Sequence, residues 1–542
     1  MLSTMSDYPL SIGSILEYGI KVHGTSRVQT WTGEGPRAAT FCEVGARAKQ
    51  LARALEKLGI RPGDRVGTLC WNTQEHLEAY YAISSMGAVV HTLNVRLFPD
   101  QLAYIINHGA DRIILVDAPL VPLLLRIAKD LRTVERYIVI GDAASLASAA
   151  ELPGEILHYE DLLAAELPEY EWPAIDERSA AVMCYTTGTT GDPKGVVYSH
   201  RSIYLHSLSI CGPWAIGLND RDRALLIVPM FHANGWGIPY AGWMAGCDFL
   251  MPGPHLQAEP LCRMIRTCRP TVAAAVPTVL SAALNYADEH AVDCSCFRVV
   301  FCGGAALPRS LAEGFLQRHG VKVIQGWGLT ETSPVITVAQ PPRGCAKNEE
   351  IEWTTKTGRM IPGVELRICD GDRILPWDGE SIGEFEACGP WITASYYGNP
   401  APDRFHDGWL RTGDVGTIDE FGYAHITDRS KDIIKSGGEW ISSVDLENAI
   451  MGHPCVLEAA VIGVPDEKWD ERPLACIVAK PGATVTAAQI RSYLVSRVVK
   501  WWIPERWALI AEVPKTSVGK FDKKTLRAMY ANGVLEELVE RH

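Results

Sequence analysis

Apolar residues along this chain recur with two alternating spacings. Residues 38–58 carry them three to four apart, the spacing of a helix, and the run ends at Gly59. RVGTLCWN (65–72) is a short apolar run of the kind buried in a sheet, and HLEAYYAISSMG (76–87) returns to helical spacing. Comparable strand-like runs follow at RIILVDA (112–118), RYIVIGD (136–142), AAVMCYTTG (180–188), ALLIVPMF (224–231), TVAAAVP (271–277) and RVVFCGG (298–304). Strands alternating with helices predict mostly parallel sheets covered on both faces. Between 358 and 423 the texture changes to glycine-punctuated segments such as GRMIPGVELRICDGDRILP, which predict a smaller antiparallel or barrel-like unit. After Asp428-Arg429 an α/β pattern resumes, with a helix near 444–451, strands VLEAAVIGV and LACIVAK, and a helix over 487–499. The expected architecture is α/β: a large N-terminal domain, 1–428, holding two helix-covered sheets and the barrel-like unit, and a smaller C-terminal domain, 429–542. The boundary itself is placed within 427–432.

The totals agree with that division, because 542 residues exceed what one ordinary core can organise. A hydrophobic share of 47% with 21% charged residues is that of a soluble globular chain. The net charge of −13 argues against a nucleic-acid partner, which would call for a basic face. An anionic ligand must therefore be drawn by local cations and not by the field of the whole protein. The 15 cysteines are scattered, with Cys294 and Cys296 the nearest pair, and they predict reduced thiols and no zinc site. No apolar run approaches a membrane span and MLSTMSDYPLSIGS lacks a secretory pattern, so the cytoplasm is the expected compartment.

Candidate chemistry centres on YTTGTTGDPKGVVYSH (185–200). A strand should precede it, and Ser199 should cap a helix starting at His200. Gly188, Gly191 and Gly195 permit close backbone approach and positive φ. Thr186, Thr187, Thr189 and Thr190 bring hydroxyls, and Lys194 brings a mobile charge. Hydroxyls in a turn also bond their own backbone. Glycine, threonine and lysine together point instead to an anion cradle. The GK[ST] ending of a Walker A loop is absent, since Pro193 precedes Lys194 and Gly195 follows it.

TTGTTGDPKG resembles the phosphate loop of the acyl-adenylate-forming enzymes, which include acyl-CoA synthetases, adenylation domains and luciferases. Further motifs of that superfamily stand in order: GWGLTET at 326–332, GWLRTGD at 408–414, ITDRSKDIIKSGGEWIS at 426–442 and PKTSVGKFDK at 514–523. FHANGW (231–236) and SGGEWISSVDLE (436–447) look most like the fatty-acyl-CoA synthetase branch. The resemblance implies an AMP-forming acid–thiol ligase that uses ATP, Mg2+ and coenzyme A. Its substrate would be a medium- or long-chain fatty acid. The same ATP machinery would serve an aryl, polycyclic or short sulfur-containing acid. Transfer to a carrier protein and a nucleotide-binding scaffold without turnover are the remaining alternatives. Members of this branch often dimerise, so a homodimer is an expectation.

Residue roles follow from the same resemblance. Thr186 and Glu331 would ligate magnesium, and the 187–191 segment with Lys194 would hold the phosphates. Gly303, Gly304, Gln325, Gly326 and Trp327 would bind the base, with Thr330 beside them. Many relatives carry Tyr where Trp327 stands, which keeps an aromatic face without the phenol. Asp414 would hold the ribose hydroxyls, and Arg429 would make the second ribose contact or a phosphate contact. Lys520 would meet the α-phosphate and the substrate carboxylate. Lys431 would be the hinge about which the C-terminal domain swings, after which Trp440 would help line a thiol channel; Lys435 would meet a phosphate in either position. His232, Gly235 and Trp236 would line the acyl pocket, His232 acting in catalysis and Trp236 as a gate.

Overall fold

The computed structural model describes residues 3–186, 192–437, 439–516 and 520–535. Its first sheet has seven strands in the order Glu155–His158, Arg136–Ile140, Asp111–Asp117, Arg65–Leu69, Val89–Thr92, Ala180–Tyr185 and Gly195–Ser199. All neighbours are parallel except the last pair, which brackets the threonine-rich loop. Ser199 caps helix His200–Cys211 by accepting from the Ser202 N–H, as expected.

A second parallel run, Arg27–Trp31, Asp248–Met251, Arg223–Leu225, Val272–Ala275, Val299–Cys302 and Val323–Gly328, forms the other half of the large domain. Helices between the two sheets share one core with both of them. Helix Phe41–Lys57 shows why: Phe41, Val44, Ala48, Leu51 and Leu55 form one buried stripe at helical spacing. Phe41 stacks on Trp243, ring centroids 3.8 Å apart. Helix Gln74–Ser85 is buried throughout despite two glutamates and a histidine. Each is paired, Glu75 with Arg37, Glu78 with Arg47 and Tyr159, and His76 with Thr68 and the Trp71 carbonyl.

Two of the element boundaries that differ from expectation have a clear local reason. The helix expected from 38 begins at Phe41, because Pro36–Thr40 pairs with Arg27–Trp31 and Thr40 and Glu43 form a capping box. The run at 224–231 is a strand only over Arg223–Leu225. Beyond it the Asn72 side chain takes the Leu226 and Val228 carbonyls and the Met230 N–H, replacing ladder bonds.

Strand Val323–Gly328 is the seam between two sheet types. It runs parallel to Val299–Cys302 and antiparallel to Val335–Val338, with a register shift between Trp327 and Gly328. From there the sheet continues through antiparallel strands Gly358–Met360, Tyr423–Arg429, Trp409–Ile418, Gly383–Cys388 and Glu365–Asp370. The expected barrel-like unit is thus joined edgewise to the second sheet. The chain after Arg429 builds its own sheet from Glu439–Ile441, Ile434–Ser436, Asp470–Ala479, Val456–Asp466 and Arg506–Leu509. No helix among the described residues is long and apolar enough to cross a membrane. All 15 cysteines are free.

The seam permits one sharp test. A Cβ on Gly328 would lie 1.7 Å from the Pro334 backbone oxygen, which no rotamer change can relieve. Gly328→Ala should lower unfolding stability by about 1–3 kcal/mol, the cost of overpacking, in urea denaturation followed by fluorescence. A midpoint unchanged from the parent would show that this crossing yields easily.

Candidate active site

One cavity of about 760 Å³ lies where the first sheet, the seam, the antiparallel unit and the C-terminal region meet. Its wall at Thr186 and Lys194 is fixed by register and by hydrogen bonds between those two residues. Tyr185 and Gly195 are register partners, the Thr186 N–H donates to the Lys194 carbonyl at 2.9 Å, and the Lys194 N–H donates to Thr186 Oγ1 at 3.1 Å. Thr186 and Lys194 both line the cavity. Thr187, Gly188, Thr189, Thr190 and Gly191 lie outside the described residues, as do Gly438 and Gly519.

The seam supplies the opposite wall. Gly303, Gly304, Gln325, Gly326, Trp327, Thr330 and Glu331 all border the cavity. Gly304 takes φ +79°, and a Cβ there would meet Val276 Cγ1 at 3.2 Å and Lys520 Cε at 3.7 Å. The Gln325 amide faces its own loop, accepting from the Leu307 N–H at 2.6 Å and donating to the Ala305 carbonyl at 3.3 Å. Its side chain therefore shapes the Gly303–Gly304 floor. Thr330 offers its carbonyl to the Tyr198 hydroxyl at 2.5 Å, which ties the turn carrying Glu331 to the first sheet.

Asp414 and Arg429 are directly opposed on antiparallel strands. Arg429 Nε lies 3.2 Å from Asp414 Oδ1, and Trp327 Nε1 donates to Asp414 Oδ2 at 2.8 Å. Trp327 thus does more than present an aromatic face: its N–H and the guanidinium grip one carboxylate from two sides. Asp414, first among its influences, raises the Arg429 pKa above its ordinary value, so that cation stays charged.

Lys520 arrives from the C-terminal region, with Thr516 closing its loop through bonds of 2.8 and 3.2 Å. The residue as a whole is half-buried, yet its far end reaches over Gly304. Burial chiefly, and then the Arg429 charge, push its pKa down to about 8, while Asp414 and Glu331 act in the other direction. It remains mostly protonated at neutral pH. Glu331 itself is buried, and its Oε1 accepts from the Tyr396 hydroxyl at 2.7 Å. A carboxylate has about four acceptor positions, so that bond leaves room for a cation. No group of three or more His, Cys, Asp or Glu among the described residues could hold a metal alone. An ion here would take Glu331, a hydroxyl such as Thr186, water and ligand oxygens, a donor set that suits magnesium.

The apolar end is built on strained backbone. Ala233, Asn234, Gly235, Trp236 and Gly237 all adopt positive φ, from 36° to 75°. For the three non-glycine residues this costs on the order of 1–3 kcal/mol each and needs a rigid surround. The turn presents Trp236 to the cavity, next to Phe301 and over the Gly303 floor, where a Cβ would meet Trp236 Cη2 at 3.1 Å. His232 borders the same space; burial first, then the Lys520 and Arg96 charges, push its pKa down to about 3. It is a neutral hydrogen-bonding group there and offers no charge at working pH.

Three expected residues do not border the cavity. Gly235 is buried against Pro239 and Met230. Lys435 and Trp440 are register partners on the hairpin of Ile434–Ser436 and Glu439–Ile441, and Trp440 is 39% exposed. Lys431 does border it, in the turn after strand Tyr423–Arg429. Sequence reasoning passed over Arg96, Tyr396 and Arg404, which also line the site. No periodicity marks them, and only the tertiary fold brings their loops here.

Comparison with known proteins places this geometry. The family described as "AMP-binding enzyme" matches residues 21–397, and its C-terminal domain matches 445–520. A long-chain-fatty-acid–CoA ligase of Thermus thermophilus is 44% identical over 98% of this chain and 97% of its own. A 3-methylmercaptopropionyl-CoA ligase of Ruegeria lacuscaerulensis is 41% identical over 97% of this chain and 98% of its own. Among solved structures, the anthranilate CoA ligase AuaEII in complex with anthranoyl-AMP superposes with a TM-score of 0.88 at 28% identity, covering 98% of this chain and 100% of that one. The chain belongs to the AMP-binding enzymes, the acyl-adenylate-forming superfamily, and is an AMP-forming acid–thiol ligase that uses ATP, Mg2+ and coenzyme A.

Proposed function

We propose that this ligase activates a medium- or long-chain fatty acid, with Lys520 as the cation that allows the acid and ATP to meet. The observation that carries the reading is the delivery of Lys520 into a cavity that already holds Asp414, Arg429 and Glu331. In the first step a carboxylate oxygen attacks the α-phosphorus, and the bond to the bridging oxygen breaks to release pyrophosphate. Both reactants are anions, so preset cations lower the barrier more than any proton transfer would. Lys520 would lie against the α-phosphate and the carboxylate, Lys194 and the loop against the departing phosphates, and Asp414 against the ribose hydroxyls. Thr186 and Glu331 would hold magnesium, which when bound neutralises charge on the triphosphate.

In the second step the thiol sulfur attacks the acyl carbonyl, its proton is released and AMP departs. Lys520 blocks that approach while it fills the site. We therefore read 1–428 as a fixed body and 429–542 as one that swings about Lys431, a short exposed turn suited to absorbing dihedral change. The swing would carry Lys520 out and bring Trp440 toward the thiol, with Lys435 against a phosphate. His232 as a neutral donor and Trp236 as a wall or gate would border the acyl chain, with Gly235 easing the turn.

The apolar neighbours Val228, Val276, Val279 and Phe301 favour an uncharged, extended tail. The 3-methylmercaptopropionyl-CoA ligase at 41% identity supports a second reading, a short sulfur-containing acid. With a panel of acids, kcat/KM for a medium-chain or longer acid should exceed that for acetate or 3-methylmercaptopropionate by roughly 10²-fold or more, since each methylene in an apolar pocket is worth about tenfold upward. A maximum at the sulfur acid would establish the second reading.

Lys520→Ala should slow pyrophosphate release by roughly 10²–10³ yet leave thioester formation from supplied acyl-adenylate near the parent rate. Equal loss in both half-reactions would defeat the two-position scheme. Because Lys520 titrates near pH 8 and works as the cation, kcat/KM for ATP should fall as pH rises through that value. Lys520→Arg should move the falling limb upward, as a guanidinium stays protonated. A limb that stays in place would assign it to another group.

A further inference from the structure

The residues between 391 and 397 connect the two halves of the phosphate site, although no expectation attached to them. Thr393 N–H donates to the Glu331 carbonyl at 2.8 Å, and Tyr397 N–H donates to the Gly195 carbonyl at 2.8 Å. Ser333, two residues past Glu331, donates its hydroxyl to the Trp391 carbonyl at 2.8 Å. The segment is therefore fastened to the turn carrying Glu331 and to the base of the phosphate loop.

Tyr396 stands between those fastenings, 5% exposed. Its hydroxyl donates to Glu331 Oε1 at 2.7 Å, while Lys194 Nζ lies 4.9 Å from its ring centroid. One side chain thus meets the carboxylate with its polar tip and the ammonium with its π face. Among the described residues Glu331 and Lys194 form no ion pair with each other. If they paired directly, each would neutralise the charge that the other half of a metal–triphosphate complex needs. A phenol suits the gap because it satisfies an anion and a cation at once without carrying charge.

We propose that Tyr396 is a positioning residue that holds the Glu331 carboxylate ready for the metal and keeps it from collapsing onto Lys194. The proposal rests on the reading of Glu331 as a magnesium ligand. Titration calorimetry with α,β-methylene-ATP, in Mg2+ and again in EDTA, tests it on the full-length protein. Tyr396→Phe keeps the ring face and removes the donor. It should weaken binding about tenfold or more in Mg2+, the effect of losing a hydrogen bond to a charged acceptor, and change little in EDTA. Tyr396→Leu, which also removes the face over Lys194, should weaken binding in both media. Equal weakening by Tyr396→Phe in both media, or none in Mg2+, would overturn the proposal. Glu331→Gln separates the two levels. If it abolishes the gain from Mg2+ while Tyr396→Phe retains it, the metal assignment stands and this inference falls. If Glu331→Gln keeps the full gain, the metal assignment falls and this inference goes with it.

Discussion

The site is arranged around an ammonium set among opposed fixed charges, that of Lys520. Burial alone would drive Lys520 toward neutrality, and Arg429 adds to that pressure. Asp414 and Glu331 act against both, and the pKa comes to about 8. Those carboxylates cannot be free to neutralise the cations completely. Asp414 is accordingly gripped by Trp327 and Arg429, and Glu331 is held by Tyr396. In a protein of net charge −13, this balance of fixed opposite charges does locally what the overall field cannot.

The backbone makes such fixing feasible. Strand Val323–Gly328 joins a parallel sheet to an antiparallel one, so groups from both kinds of layer reach a common space. Its parallel neighbour ends in Gly303 and Gly304, which give a floor without side chains. Its antiparallel side leads to the strands that set Asp414 opposite Arg429. The strained turn at 233–237 adds the aromatic wall. Strain of that kind is tolerated where a packed core surrounds it, and the turn sits within the core shared by both sheets.

The charged and the apolar linings of the cavity come from different parts of the molecule. Charged groups come from antiparallel strands and from turns beside strands, whereas the aromatic wall comes from the core-facing turn and Phe301. Relatives of this chain carry names with a long-chain fatty acid and with 3-methylmercaptopropionate at nearly equal identity. Relatives that share this fold thus carry the names of chemically different acids.

Much of this was legible in the residues. The order of TTGTTGDPKG, GWGLTET, GWLRTGD and PKTSVGK identified the superfamily, because each motif packs glycine and charge into a few adjacent positions. Helix and strand runs gave the layered α/β plan, since burial on one face imposes a period that survives in sequence. The capping box at Thr40 and the side-chain bonds of Asn72 shifted boundaries, because groups of side-chain hydrogen bonds to the backbone locally replace the pairing an apolar run would otherwise make. What only the tertiary structure decided were the pairings: the Trp327 indole on Asp414, the Gln325 amide on the 305–307 loop, and Tyr396 between Glu331 and Lys194. Such contacts join residues far apart in the chain through side-chain direction, and neither composition nor periodicity encodes a direction in space.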